Sequence, residues 1–326
     1  MRKVYIVAVT TPATRSGSED YRTEIGTVGD FPWCDIFNTE SYFRLHQTGC
    51  DRFFRLVSGP QDEVHAVVHF SEIEPGVFRS PARGTYAGID LATKTYTPLI
   101  PFLDDVEAHL ESAGARSVTL STAPFAHDPQ KSAWLFQNLS ERGYTVELSQ
   151  LNYSVPIDDV DLVVKMRHNN RKRFRKCERE GFVFSERGND GAREVYDVIA
   201  RNRAHRGYPI SMSFEEVQRM VEAFPGAISF HGVNHGEELV ASAVCARLNP
   251  RVLYTLYWGD IPGYGTYSPV AFLAAGVYAA AREKGFRLMD TGTVPSIRSG
   301  PAAGLIKFKE NLGCKATLKL TYTKTL

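Results

Sequence analysis

Cysteine is scarce in this chain and unpaired in pattern. Five cysteines are scattered over 326 residues, and no two of them form a CxxC pair. That spacing supports neither a disulfide framework nor a zinc site, and it fits a reducing, cytoplasmic compartment. Long apolar runs are absent too: none approaches the ~18 residues that a membrane span needs. The run from Val4 to Val9, behind Met1-Arg2-Lys3, is shorter than a signal-peptide core and reads as a first β-strand. Excess charge of either sign is missing. A formal net charge of +1 leaves no global field to draw the chain to DNA or a membrane, so any polyanion must be held by a local patch. Several catalytic signatures are also lacking. No GxSxG elbow, HExxH pair, GK[ST] P-loop or GxGxxG fingerprint occurs. His65 and His69 fall on a predicted strand and His231 and His235 across a turn, so no metal site is expected. No cysteine has a nearby histidine in a thiol-catalysis signature.

What is present is an ordinary globular composition, 43% hydrophobic and 23% charged, and a length that suggests about two domains. The chain also repeats itself. Adding 171 carries Tyr96-Thr97-Pro98 to Tyr267-Ser268-Pro269, and the same offset carries Val106 to Val277, Gly114 to Gly285, Arg116 to Arg287, Thr122 to Thr293 and Pro124 to Pro295. A fixed offset held this long marks one supersecondary unit used twice.

In the first half, strands are predicted over 63–70, 76–79, 117–121 and 145–156, with helices over 98–112 and 131–142. The second half repeats that order, with strands over 239–248, 251–257, 287–290 and 314–323 and helices over 269–285 and 304–311. Glycines stop most of these helices and Pro269 opens one. The second half carries an extra front section, with helices over 161–180, 191–202 and 213–224. The acidic stretch near residue 157 sets the boundary between domains 1–156 and 157–326. The fold class is mixed α/β, in two tandem domains related by duplication.

Four segments could carry chemistry. On the helix 161–180, Arg167, Arg171 and Arg175 form one i, i+4 ridge beside His168, Lys172 and Lys176; such a face binds phosphates or is simply solvated. The loop with Gly263 and Gly265 joins a strand to a helix N-terminus, where free N–H groups receive an anion; it is otherwise a plain turn. Asp290-Thr-Gly292 ends a short strand, so its carboxylate either faces a cleft and takes a proton from an attacking amine or caps the next turn. In the segment 304–313, Leu305, Phe308 and Leu312 form an apolar stripe, with Lys307 and Lys309 off it.

These segments resemble the Fem family of peptidyltransferases and its acyltransferase relatives in the GNAT superfamily. The resemblance rests on RHNNRKRFRKCEREG at 167–181, Arg206-Gly-Tyr-Pro209, Tyr267-Ser-Pro269 followed by Asp290-x-Gly292, and GL-x-x-FK-x-x-LG at 304–313. In the first half it rests on Ser80-Pro81 with Gly84 and Gly88. It implies two GNAT-like domains and an enzyme that passes an activated acyl or aminoacyl group to an amine, on a small molecule or a peptidoglycan precursor. The co-substrate would be acyl-CoA or aminoacyl-tRNA, with no covalently bound cofactor, and tRNA is a candidate partner. Strict dependence on aminoacyl-tRNA is one alternative; an inactive GNAT fold that binds a ligand or RNA is another. By the same resemblance Lys309 polarises the acyl carbonyl or contacts donor phosphate, Asp290 accepts the proton, and Tyr257 and Tyr267 orient groups. Arg83, Tyr86 and Glu72, around the first-half glycine loop, are expected to face a cleft. The chain departs from the family in having no long helical hairpin insertion and no intact Gln/Arg-xx-Gly-x-Gly/Ala signature, of which Gly263-Tyr-Gly265 is the nearest remnant.

Overall fold

The computed structural model describes residues 21–26, 29–46, 51–295 and 302–326. The strand expected over Val4–Val9 lies outside them, as does Cys50; the other four cysteines are buried thiols. No helix among the described residues is long and apolar enough to cross a membrane. The chain divides into two compact units, residues 1–149 with 318–326, and residues 150–317. The sequence reading put the division at 156/157 and assigned no terminal segment to the first unit.

The first unit contains β1 (Tyr21–Ile25), α1 (Glu40–Leu45), β2 (Asp51–Ser58), β3 (Glu63–Glu74), β4 (Val77–Ser80), β5 (Ile89–Leu91), α2 (Leu99–Ser112), β6 (Ser117–Ser121) and α3 (Pro129–Glu141). The next strand, β7 (Thr145–Pro156), passes most of its length to the second unit. The second unit continues with α4 (Leu162–Lys165), α5 (His168–Arg179), β8 (Phe182–Arg187), α6 (Ala192–Arg206), α7 (Phe214–Ala223), β9 (Ile228–His235), β10 (Glu238–Arg247), β11 (Val252–Asp260), α8 (Pro269–Glu283), β12 (Leu288–Thr293) and α9 (Ala302–Asn311). The last strand, β13 (Lys315–Thr325), returns to the first unit from Leu318 on.

In the first unit the strands run in the order β1-β2-β3-β4-β6-β13, with β5 on β3. Its core is the inner face of that sheet against α2, built from Phe54, Phe70, Phe78, Phe102, Leu110, Val118 and Tyr322. The middle of β3 is buried on both faces, and its apolar residues Ala66, Val67, Val68 and Phe70 suit that place. In the second unit the order is β7-β12-β11-β10-β9-β8. Helix α8 is apolar almost all round and is accordingly enclosed, with Ala271, Leu273, Ala274 and Val277 fully buried. Helix α7 starts on a complete capping box between Ser213 and Glu216.

The duplication is visible in the elements. β6 starts at residue 117 and β12 at residue 288, reproducing the 171-residue offset. In each unit that strand lies parallel to an earlier one, β6 to β4 and β12 to β11. What the offset did not predict is the exchange of closing strands. β7 pairs with β12, and β13 pairs with β6. The second departure concerns the helix expected over 161–180. It is two helices, because Met166 and Arg167 are extended. Met166 is drawn into the core, the Arg167 N–H donates to Asn311 O, and Arg171 Nη2 donates to the carbonyls of Val164 and Met166.

Candidate active site

β11 and β12 are paired only at their beginnings. The parallel register runs from Val252↔Leu288 to Tyr254↔Asp290 and stops. Beyond it Thr255 Oγ1 donates to Asp290 O at 3.1 Å, and the strands part. Two local features hold them apart. β11 contains an extra residue, Leu256, where its register with β10 shifts between Val244 and Cys245; such a bulge twists a strand away from its neighbour. β12 turns at Gly292, whose φ of 80° is costly for any residue with a Cβ.

Asp290 and Lys309 stabilise that turn. Asp290 is wholly buried; its Oδ1 accepts the Gly292 N–H at 2.7 Å and the Asn152 amide at 2.9 Å. Lys309, 2% exposed, sends Nζ to the carbonyls of Thr291, Gly292 and Thr293 at 2.6, 2.7 and 3.2 Å. An ammonium has three protons, and three successive carbonyls take them. Burial draws the Lys309 pKa down to about 8, while Asp290 acts to raise it. Lys309, expected off the apolar stripe of α9, is thus a buried amine whose protons fix backbone.

The gap between the parted strands opens into a cavity of about 540 Å³. Thr255 to Asp260 form one wall and Thr291 to Thr293 the other; Arg173, Arg203 and Arg206 border it, as do Gly265, Ser268 and Val270. The last three place the N-terminus of α8 on the cavity. Ser268 there has φ 55°, a left-handed conformation that a serine holds only under constraint. Pro269 follows at the first helical position, where no N–H is needed.

Tyr257 lies in the wall as expected. Its hydroxyl bonds Ser211, the Arg203 guanidinium stands 6.0 Å from its ring centroid, and burial raises its pKa. Lys309 borders the cavity, but with all three protons aimed at backbone. Asp290 does not line it. The alternative given above for that residue, a cap on the next turn, describes its bonds.

The carboxylate that lines the cavity is Asp260, at the end of β11. It accepts Asn202 Nδ2 at 3.1 Å and faces Arg206 at 3.8 Å. Burial raises its pKa, against the opposing effects of Arg206 and Asn202. Asn202 packs so closely here that a Cβ on Gly259 would stand 2.8 Å from it, which explains that glycine. Asp260 was missed because Gly259 read as the start of a loop. The signal was its place at the end of an aromatic β-rich run.

The basic ridge is distributed differently from its sequence pattern. Of α5, Arg173 reaches the cavity, whereas Arg167, Arg171 and Arg175 do not line it. Arg171 is committed to the carbonyls that shape the α4–α5 break, Arg167 pairs loosely with Glu310 at 3.8 Å, and Arg175 is exposed. Gly265 lines the cavity; Gly263 and Tyr267 do not, and Tyr267 instead carries Lys176 over its ring at 4.1 Å. Lys307 is exposed on the far side of α9 from Lys309. Arg83, Tyr86 and Glu72 belong to the first unit. Tyr86 is core, with its hydroxyl 3.3 Å from His127 Nδ1, and Glu72 accepts the Gly76 N–H at 2.8 Å to close a turn. Arg83 is exposed, and its carbonyl accepts the Tyr42 hydroxyl at 3.1 Å. Among the described residues no group of three His, Cys, Asp or Glu could hold a metal ion.

Parted parallel strands above a helix N-terminus define a class. Residues 164–302 match the family model described as an acetyltransferase (GNAT) domain. The match lies within the second unit, and the chain shares its mixed α/β fold with the solved structures that follow. Among solved structures, FemX superposes with a TM-score of 0.70 at 13% identity, covering 90% of this chain and 93% of that one. L-PGS from Bacillus licheniformis superposes with a TM-score of 0.56 at 14% identity, covering 84% of each chain. No curated protein matches the sequence.

Proposed function

We propose that the chain is an acyltransferase that joins an activated acyl or aminoacyl group to an amine in the cavity of the second unit. The observation that carries this reading is the divergence of β11 from β12 directly beside the N-terminus of α8. A strand edge with no strand neighbour offers N–H and C=O groups to an extended donor. The helix N-terminus and Arg173, Arg203 and Arg206 suit the donor's phosphates.

The neutral amine attacks the acyl carbon. A C–N bond forms, and the C–S or C–O bond to the carrier breaks. Asp260 receives the proton that the amine gives up, and the departing thiolate or alkoxide is protonated in turn. Raising a carboxylate towards neutrality is what such a base requires. Backbone N–H groups left unpaired where β11 and β12 part receive the oxyanion. Lys309 acts at one remove, by holding the carbonyls of β12 out of the way. Tyr257, anchored by Ser211, orients the acceptor.

Acyl-CoA and aminoacyl-tRNA both fit this chemistry. A specific feature favours the larger donor as a second reading: α5 leaves Lys172, Arg175 and Arg179 exposed beyond the cavity's edge. The first experiment is a thermal shift of the purified protein with CoA and acetyl-CoA. At 100 times its dissociation constant a ligand adds about 2.7 kcal/mol. A rise points to CoA as the donor carrier, and acetyl transfer to amines is then assayed to separate an enzyme from a ligand-binding fold. If neither ligand shifts the protein, charged tRNA is tested next in a coupled assay with an RNase control. Failure of both donors to bind overturns the proposal.

A further inference from the structure

The second unit has another cavity, of about 320 Å³, at the opposite end of its sheet. It lies where the C-terminal turn of α8 passes over β9, β10 and β11. Its floor is Leu253, Phe286 and the small side chains of α8; its polar groups are Ser229, His231, Arg247 and Lys284. It shares no lining residue with the cavity described above.

Three observations set it apart from an ordinary surface hollow. First, His231 is 2% exposed, yet its Nδ1 has no hydrogen-bond partner, while its Nε2 lies 3.0 Å from Ser229 Oγ. Nearly all buried polar atoms in folded proteins are paired, so an orphan nitrogen beside a cavity points to an absent partner. Second, the mouth is cationic. Lys284 is paired with Glu186, but Arg247 is exposed and has no ion pair among the described residues. No carboxylate lines the cavity. Third, the remaining wall is apolar, and the volume is at the lower end of the roughly 300–1,000 Å³ found for small-molecule sites.

We propose that this second cavity is a binding site for a small carboxylate with a short apolar body. The apolar part lies on Leu253 and Phe286, and the carboxylate meets Arg247 at the mouth. With Ser229 donating to Nε2, the His231 Nδ1–H is free to donate to a ligand oxygen. Burial draws the His231 pKa down to about 4, so the ring is neutral at pH 7 and has one N–H to give. The site is independent of acyl transfer in the other cavity.

The test is a titration of the full-length protein with sodium hexanoate, followed by calorimetry and by the ring nitrogen signals of His231 in NMR. The expected result is saturable one-to-one binding with a dissociation constant below about 10 mM, and movement of the His231 Nδ1 signal. Hexanamide, which keeps the shape and loses the charge, binds more weakly by roughly tenfold, and Arg247→Glu weakens hexanoate by at least as much. Arg247→Ala serves as a second variant at this exposed position. Arg206→Glu, on the other cavity, leaves the binding unchanged. Absence of saturation, equal binding of hexanamide, or loss of binding in Arg206→Glu rather than Arg247→Glu overturns the proposal.

Discussion

Replacing Lys309 by alanine removes the ammonium that three successive carbonyls of β12 accept. A buried acceptor left unsatisfied costs about 1–3 kcal/mol. The three carbonyls are adjacent and their losses are coupled, so the sum is smaller than three separate penalties. The buried carboxylate of Asp290 loses its positive neighbour at the same time. Breaking a buried charged arrangement on one side costs about 3–5 kcal/mol, which we take as the expected loss. For a domain of about this size each kcal/mol lowers Tm by roughly 2–4 °C, giving a fall of roughly 6–20 °C. The assay is thermal unfolding of wild type, Lys309→Ala and Lys309→Met, with amide exchange of Thr291–Thr293 as the local readout. Methionine keeps much of the buried stem, so its difference from alanine reports packing and its difference from wild type reports the charge. Turnover falls as well, by about 100- to 1,000-fold, because the cavity wall loses its shape. If Lys309→Ala melts within about 2 °C of wild type while turnover collapses, the lysine protons serve the substrate and not the strand. Wild-type turnover in a folded Lys309→Ala protein removes the residue from the site altogether.

Asp260→Asn is expected to lower turnover by about 100- to 10,000-fold, the range for a general base, and to abolish the acidic limb of the pH–kcat/KM profile; an unchanged profile refutes the assignment. Gly259→Ala drives a Cβ into Asn202 and is expected to cost about 1–3 kcal/mol in chemical denaturation, with a parallel rise in KM. In the first unit, burial and then the neighbouring Asp35 hold the Asp90 carboxyl well above the usual carboxylate range. Its folded form therefore keeps a proton that the unfolded chain releases near pH 4, so stability falls as pH rises from that point through neutrality. Asp90→Asn, which still offers an oxygen to the Asp35 N–H bonded at 2.8 Å, is expected to flatten that fall in denaturation curves taken between pH 5 and pH 9, a range of about four units; an identical slope in the two proteins disproves it.

The sequence by itself determined the repeated elements, because they depend on local periodicity and punctuation. Pro269 opens α8, an apolar run of helical length makes that helix a buried one, and the offset places β12 where β6 predicts it. The GL-x-x-FK-x-x-LG segment fixed α9 and singled out Lys309. Tertiary structure decided what the side chains do. Asp290 lies inside β12 and Asp260 ends β11, but nothing in the local sequence separates their roles. One points into its own turn and a neighbouring amide, while the other is carried to the cavity by the bulge in β11. The basic ridge followed helical spacing, but a break at Met166 and Arg167 spent Arg171 on backbone and left Arg173 at the cavity. The exchange of β7 and β13 was equally hidden, since a strand's own residues specify that it pairs and not with which copy of a repeat. Hydrogen-bond partners distant in sequence are chosen by the packed fold, and there the local code of helix, strand and turn has no information to give.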